Sequence, residues 1–306
     1  MTRFTVAAIQ AGSKLFDTPA TIDLFEQKLQ AVKSRGADLI VFPEAFIGGY
    51  PKGIDFGVRV GMRSPEGRAQ FQAYFEGAIS RNSPELQRIC EAVKEAAINT
   101  VLGLIEKDGG TLYCSSVCIG RDGTILSWHR KLMPTAMERV IWGQGDGSTM
   151  GVAQMDVGVV SMAICWENYM PLYRSHLYNQ GTQIHCVPTV DDREVWLPTM
   201  QMIALEGRCF VVSACQFMTA GDVKADWFKS IQGTSPETVL IGGGSCILSP
   251  MGEILAAPLF NQEAILTAEI DLDEITRGKF DLDNAGHYSR PDVFNLSVET
   301  KPHGRS

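Results

Sequence analysis

The feature that most constrains this chain is an order of apolar strand, amphipathic helix and apolar strand that occurs twice. "FTVAAIQA" (4–11) is small, apolar and β-prone, as a buried strand is. "TPATIDLFEQKLQAVKSRGA" (18–37) follows with Ile22, Phe25, Leu29 and Val32 on one helical face. Thr18 is placed as N-cap, Pro19 at the first helical position and Gly36 at the far end. "DLIVFPE" (38–44) is the next apolar strand and ends on a glutamate. The order returns with "VVSMAI" (159–164), a helix from Trp166, "QIHCVPT" (183–189), a helix from about 192 to 207, and "CFVVSACQ" (209–216). Strands alternating with helices in two sets predict a layered α/β fold.

Between the sets, "NSPELQRICEAVKEAAI" predicts a helix capped by Ser83 with Pro84 behind it. "TVLGLIE" and "TLYCSSVCIG" read as strands, and "RDGT" turns the second into "ILSWHRK" as a hairpin. A long Gly-rich loop then covers 133–151, and loops of that length inside a domain are usually functional. Residues 51–82 and 218–243 are only weakly patterned. The end of the chain holds a hairpin, "SCILSPMGEILAAP", a strand, "AILTAEI", and a short helix, "LDEITRGKF". No linker divides the chain, so residues 1–290 are expected to form one domain, followed by a short tail over 291–306.

The formal net charge of −8 argues against nucleic acid or an anionic membrane as partner, since both call for clustered Lys and Arg. A small neutral ligand fits better. No run approaches the roughly 18 apolar residues of a membrane span, and no signal-peptide pattern opens the chain. Eight cysteines, several in strand-like apolar runs, suggest reduced core residues of a cytoplasmic protein. Cys114 and Cys118 lack the second cysteine or histidine pair of a zinc site, so no metal is expected.

Three strand ends carry a reactive side chain: Glu44 after "DLIVFP", Lys131 after "ILSWHR" and Cys165 after "VVSMAI". Ligands in α/β sheets gather where strands end, so the three are expected to converge. A thiol is mostly protonated at neutral pH and needs a base or a nearby cation to become a nucleophile. A carboxylate in a water-poor pocket is basic enough to take the proton, and a lysine can stabilise negative charge on the attacked group. Among the histidines, His129 lies on a strand, His185 in a strand core and His287 near the C-terminus. None stands out as the base.

"FPEAFIGGYPKG", "HRKLMPTAMERVIWGQGDGS", "AICWENYMPLYR" and "NAGHYSRPDVF" resemble the signature segments of the nitrilase superfamily of carbon–nitrogen hydrolases. "GQGDGS" after "IW", with Trp-Glu-Asn after the cysteine, resembles the true nitrilases of plants and bacteria more narrowly. The resemblance implies a four-layer αββα sandwich and a catalytic Glu44, Lys131 and Cys165 triad, with the family's second glutamate at Glu138 beside the lysine. It also implies Tyr50, Trp142 and Trp166 as walls of a substrate pocket.

The activity implied is hydrolysis of an organic nitrile to the carboxylic acid and ammonia, through a cysteine thioimidate and thioester. An arylaliphatic nitrile or a cyano-amino acid would be the substrate, with no metal or organic cofactor. An amidase or carbamoyl-amide hydrolase would use the same triad on a carbonyl, and a silent scaffold of the same fold would have no use for it. The resemblance further implies a homo-oligomer, although the chain stops soon after "YSRPDVFNLSVETKPHGRS", where many nitrilases continue into a longer tail.

Overall fold

The first strand, β1 (Arg3–Gln10), shows why the opening run is apolar on both sides. Ala7 and Ile9 pack into a core shared with a helix layer, while Val6 and Ala8 point into a second core on the opposite face. The computed structural model describes residues 2–233 and 235–302. Of the expected tail over 291–306, residues 303–306 lie outside the described residues.

After β1 come α1 (Thr18–Lys33), β2 (Ala37–Val41), α2 (Pro65–Gly77) and α3 (Pro84–Ala96). Three strands follow: β3 (Asn99–Asp108), β4 (Thr111–Ile119) and β5 (Ile125–Arg130). The second set is β6 (Val152–Met155), β7 (Gly158–Met162), α4 (Pro171–Asn179), β8 (Ile184–Thr189), α5 (Trp196–Gly207) and β9 (Phe210–Cys215). The chain closes with β10 (Phe217–Thr219), β11 (Val239–Gly242), β12 (Cys246–Leu248), β13 (Ile254–Ala256), β14 (Ala264–Asp271) and α6 (Asp273–Gly278).

Two six-stranded sheets result, ordered β14-β1-β2-β3-β4-β5 and β13-β12-β9-β8-β7-β6. Each has a parallel centre, β1-β2-β3 in one and β7-β8-β9 in the other, flanked by antiparallel strands. Helices α1 and α3 cover the outer face of the first sheet through Phe25, Leu29, Ile89 and Val93. Helix α5 covers the outer face of the second through Trp196, Met200 and Ile203, and α4 adds Tyr173 and Leu177. Val6, Leu39, Val41 and Val101 of one sheet meet Val160, Ile184, Phe210 and Val212 of the other. This is the expected four-layer αββα sandwich.

Several local expectations shift. The N-cap of α1 is Asp17, whose Oδ1 accepts from the Ala20 N–H, so Thr18 is already helical. Residues 51–82 contain α2, capped by Ser64; only Gly67 and Tyr74 of it are buried, which explains its faint periodicity. Residues 218–243 carry β11, which pairs with β10 in a two-stranded ribbon. The helix expected from Trp166 is broken into a 3₁₀ turn, Cys165–Tyr169, and α4. Pro171 disfavours the helical region for its predecessor, and Met170 is held at φ −90°, ψ 99°. The helix expected from about 192 starts at Trp196.

One glycine decides how the first sheet presents its central strand end. Beyond β2 the chain crosses over β3, with Phe42 N–H on Val101 O (2.8 Å) and Ile47 N–H on Gly103 O (3.2 Å). A Cβ at Gly103 would lie 2.2 Å from Pro43 O, 2.7 Å from Glu44 Cα and 2.9 Å from Ala45 N. Gly103→Ala is therefore expected to lose about 1–3 kcal/mol of stability, the range for overpacking. Gly110→Ala, with nothing within 4 Å, should stay within about 0.5 kcal/mol of wild type. Thermal or urea unfolding of the two variants checks the difference.

Candidate active site

Glu44 leaves the sheet on a strained turn. Ala45 has φ +50°, and Gly48 and Gly49 follow at φ +90° and +83°. Gln216 Nε2 donates to Glu44 O (2.8 Å) and fixes the turn from the second sheet's side. The side chain is fully buried. Its Oε1 accepts from Lys131 Nζ (2.7 Å) and from the Cys114 thiol (3.6 Å).

Lys131 directly follows β5 and is also fully buried. Its Nζ donates to Glu44 Oε1 and to Glu138 Oε2, each at 2.7 Å. Glu138 sits in a 3₁₀ turn, Ala136–Val140, within the Gly-rich loop, where its Oε2 also accepts from the Thr135 N–H (2.6 Å) and its Oε1 from the Tyr50 hydroxyl (2.9 Å). Tyr50 and Trp142 meet edge to face at 5.7 Å between ring centroids, and Lys131 Nζ stands 5.7 Å from the Trp142 ring. The loop can close this tightly because Gly145 N–H donates to Lys131 O (2.8 Å), an approach that would press any Cβ to 2.1 Å from Arg130 O.

Cys165 occupies the first position of its 3₁₀ turn at φ +50°, a left-handed conformation that a non-glycine residue holds only under tertiary constraint. The constraint is a polar clasp. Asn168 Nδ2 donates to Ala163 O (3.0 Å) and Cys165 O (2.8 Å), and Glu167 Oε2 accepts the Ile164 N–H (2.7 Å). His185 bridges Asn168 Oδ1 and Ser161 Oγ, each at 2.8 Å. The Cys165 thiol itself accepts from Thr189 Oγ1 at 3.2 Å.

Electrostatics link the three groups. Burial pushes Glu44 up, Lys131 pulls it back and Glu138 adds repulsion, leaving the carboxyl at about 7. Burial works against the Lys131 ammonium, but Glu44, Cys165, Cys114 and Glu138 together hold it well above the ordinary lysine value. Burial also pushes the Cys165 thiol well above its ordinary value; Glu44 adds to the rise and Lys131 opposes it. The resting site thus keeps its proton on sulfur and has a carboxylate tuned to receive it.

Glu44, Lys131, Glu138, Tyr50 and Trp142 are in mutual contact, and Cys165 lies in the same apolar cluster as Ala45, Cys114 and Trp142. Trp166 stands apart. It is 41% exposed, donates its indole N–H to Asp191 Oδ2 (2.8 Å) and carries the Arg193 guanidinium 4.8 Å above its ring. His129 bonds Glu167 rather than the thiol, and His185 lies within the Asn168 clasp, where burial pushes it down to about 3. Glu167 and Asn168 were read only as part of the Trp-Glu-Asn motif and Thr189 not at all, and none was given a role from the sequence. A Glu-Asn pair just past Trp166, beside a reactive thiol, was the available signal. Among the described residues, no group of three or more His, Cys, Asp or Glu is placed to hold a metal, and no helix is long and apolar enough to cross a membrane.

The sequence and the fold have counterparts among known proteins. A carbon-nitrogen hydrolase family model matches residues 5–280. A nitrilase of Bradyrhizobium diazoefficiens is 52% identical over 299 residues, covering 98% of this chain and 93% of that protein. An arylacetonitrilase of Trametes versicolor is 48% identical over 309 residues, covering 97% of each. Among solved structures, the C. elegans NitFhit protein superposes with a TM-score of 0.76 at 17% identity, over 99% of this chain and 69% of that one, a likeness of fold. Matched almost end to end by relatives that share about half its residues, the chain belongs to the carbon–nitrogen hydrolase family, in its nitrilase branch.

Proposed function

We propose that Glu44, Lys131 and Cys165 carry out the hydrolysis of an organic nitrile R–C≡N to the carboxylic acid and ammonia, with Glu138 holding Lys131 and Tyr50, Trp142 and Trp166 walling the substrate. The observation that carries this assignment is the buried lysine shared by two carboxylates beside a cysteine on a strained turn. As the sulfur adds to the nitrile carbon, Glu44 takes its proton and Lys131 Nζ stabilises charge growing on nitrogen; a proton then passes from Lys131 to that nitrogen and from Glu44 to Lys131, giving the thioimidate R–C(=NH)–S–Cys165 and returning Glu44 to its basic form. Water activated by Glu44 then adds to that carbon. Ammonia leaves, and a second water hydrolyses the thioester and frees the thiol.

Tyr50 and Trp142, packed edge to face beside Lys131, favour an arylaliphatic R group, in keeping with the arylacetonitrilase among the relatives. The family match over residues 5–280 supports residues 1–290 as one hydrolase unit. The exposed Val195, Met202, Leu205 and Met251 on one outer face support a homo-oligomer, which light scattering after size-exclusion chromatography tests.

Ammonia release from a panel of aliphatic, aromatic and arylaliphatic nitriles, run beside the matching amides, tests the reading directly. Turnover of nitriles ahead of amides is expected; turnover of amides alone would overturn it. Cys165→Ala should abolish acid formation with the fold intact by circular dichroism, and substantial residual turnover would remove the covalent route.

A second test uses pH. With Glu44 at about 7, its basic form is lost as pH falls, so kcat/KM should decline about tenfold per unit below that point and level off above it. Lys131→Met deletes the attraction that draws Glu44 down, so the acidic limb should move to higher pH while kcat falls about 10²–10³-fold. A Lys131→Met enzyme with wild-type kcat and an unmoved limb would return the lysine to a structural role.

A further inference from the structure

Glu167 is fully buried one residue beyond the neighbour of Cys165, and both of its oxygens are committed. Oε1 accepts the Leu132 N–H at 2.7 Å and Oε2 the Ile164 N–H at 2.7 Å, while His129 Nε2 lies 3.0 and 3.1 Å from the two. Leu132 directly follows Lys131, and Ile164 directly precedes Cys165. One carboxylate therefore joins the end of β5 in the first sheet to the turn after β7 in the second, where each delivers a reactive side chain. His129 backs it from β5, with Nδ1 on Thr149 O at 3.2 Å and the Tyr173 hydroxyl 3.3 Å from Nε2.

From this junction we propose that Glu167 is a positioning residue, which sets Lys131 relative to Cys165 and thereby decides whether the reaction ends in acid or in amide. The proposal rests on the nitrile-hydrolysing reading above. Water adds to the thioimidate R–C(=NH)–S–Cys165 to give R–C(OH)(NH₂)–S–Cys165. If the C–N bond breaks, nitrogen leaves as ammonia with a third proton, oxygen forms the carbonyl, and the thioester goes on to acid. If the C–S bond breaks, the sulfur regains its proton and the product is the amide R–C(=O)NH₂. The first route requires a proton donor aligned with that nitrogen, which is the place assigned to Lys131. A shift of the lysine against the sulfur favours the second.

Glutamine cannot replace this carboxylate. Both oxygens accept a backbone N–H, so either orientation of an amide sets its NH₂ against a donor and releases one of the two loops. Because Tyr50 and Trp142 are held on Glu138 and not on Glu167, the effect falls on kcat and on product ratio more than on KM.

The test compares wild type, Glu167→Gln, His129→Leu and His129→Gln, all checked for folding by thermal melts. Acid and amide from one arylaliphatic nitrile are measured by chromatography, and the rate of Cys165 alkylation by iodoacetamide is followed by peptide mass spectrometry. In Glu167→Gln, kcat is expected to fall about 10²-fold, as for a misplacement on the ångström scale, with KM near wild type, a several-fold larger amide share and slower alkylation. His129→Leu shifts the ratio the same way to a smaller degree, and His129→Gln, which keeps a donor for Glu167, restores it. A folded Glu167→Gln enzyme with wild-type product ratio and alkylation rate overturns the proposal. Should that variant fail to fold, a folded His129→Leu enzyme with both readouts unchanged overturns it instead. Wild type that releases no ammonia from any nitrile refutes the nitrilase reading and not the junction, which the alkylation rates still decide.

Discussion

A charged lysine without solvent is the constraint on which the site depends. Lys131 has no exposed surface, and an unpaired ion in such a place costs several kcal/mol. Two carboxylates at 2.7 Å meet that cost, but two negative charges against one positive leave the cluster with one in excess. Burial raises Glu44, the more deeply buried of the two, by more than Lys131 draws it down, and Glu138 adds repulsion, which explains a carboxyl held at about 7. The arrangement that neutralises the lysine also raises the proton affinity of Glu44, so the two effects cannot be assigned separately to these side chains.

The sandwich is what allows such a cluster to exist. Glu44 comes from the first sheet's parallel centre, Lys131 from that sheet's edge and Cys165 from the second sheet, and the contact of the two sheets brings the three strand ends together. Strain is stored where it serves this meeting. Ala45 and Cys165, at φ +50° each, turn the chain sharply after β2 and β7 and are held by Gln216 from beyond β9 and by Asn168 within the cysteine's own turn. The segment past Arg290 folds back along α4. It lines a cleft with Leu172, Ser175 and Tyr178 of α4, and Glu299 O reaches the backbone at Gly147.

Much of this was legible in the residues. The largely apolar runs at 4–11 and 183–189 called for two covered faces, and Ile22, Phe25, Leu29 and Val32 of α1 all reach the core. Helix α2 escaped because it lies on the surface with few apolar positions, and Asp17 escaped because Asp and Thr both serve as N-caps and stand side by side. The break between Tyr169 and Pro171 follows from the proline alone.

Glu44, Lys131, Cys165 and Glu138 were named from their strand ends and from family resemblance, since reactive side chains leave a mark in local pattern and motif. Glu167 and Asn168 stood in the Trp-Glu-Asn motif and His129 among the histidines weighed as base, but their roles and that of Thr189 were not legible, because those roles consist of hydrogen bonds that form only in the folded chain. Glu167 serves Leu132, 35 residues away, and Thr189 serves a sulfur 24 residues away. Alternation of apolar and polar residues, capping and turn chemistry act within a few neighbours, so the sequence by itself determined the layers and which groups could react. Distances between strand ends, and the burial that tunes Glu44, exist only once two sheets have closed on each other, and the tertiary structure alone decided them.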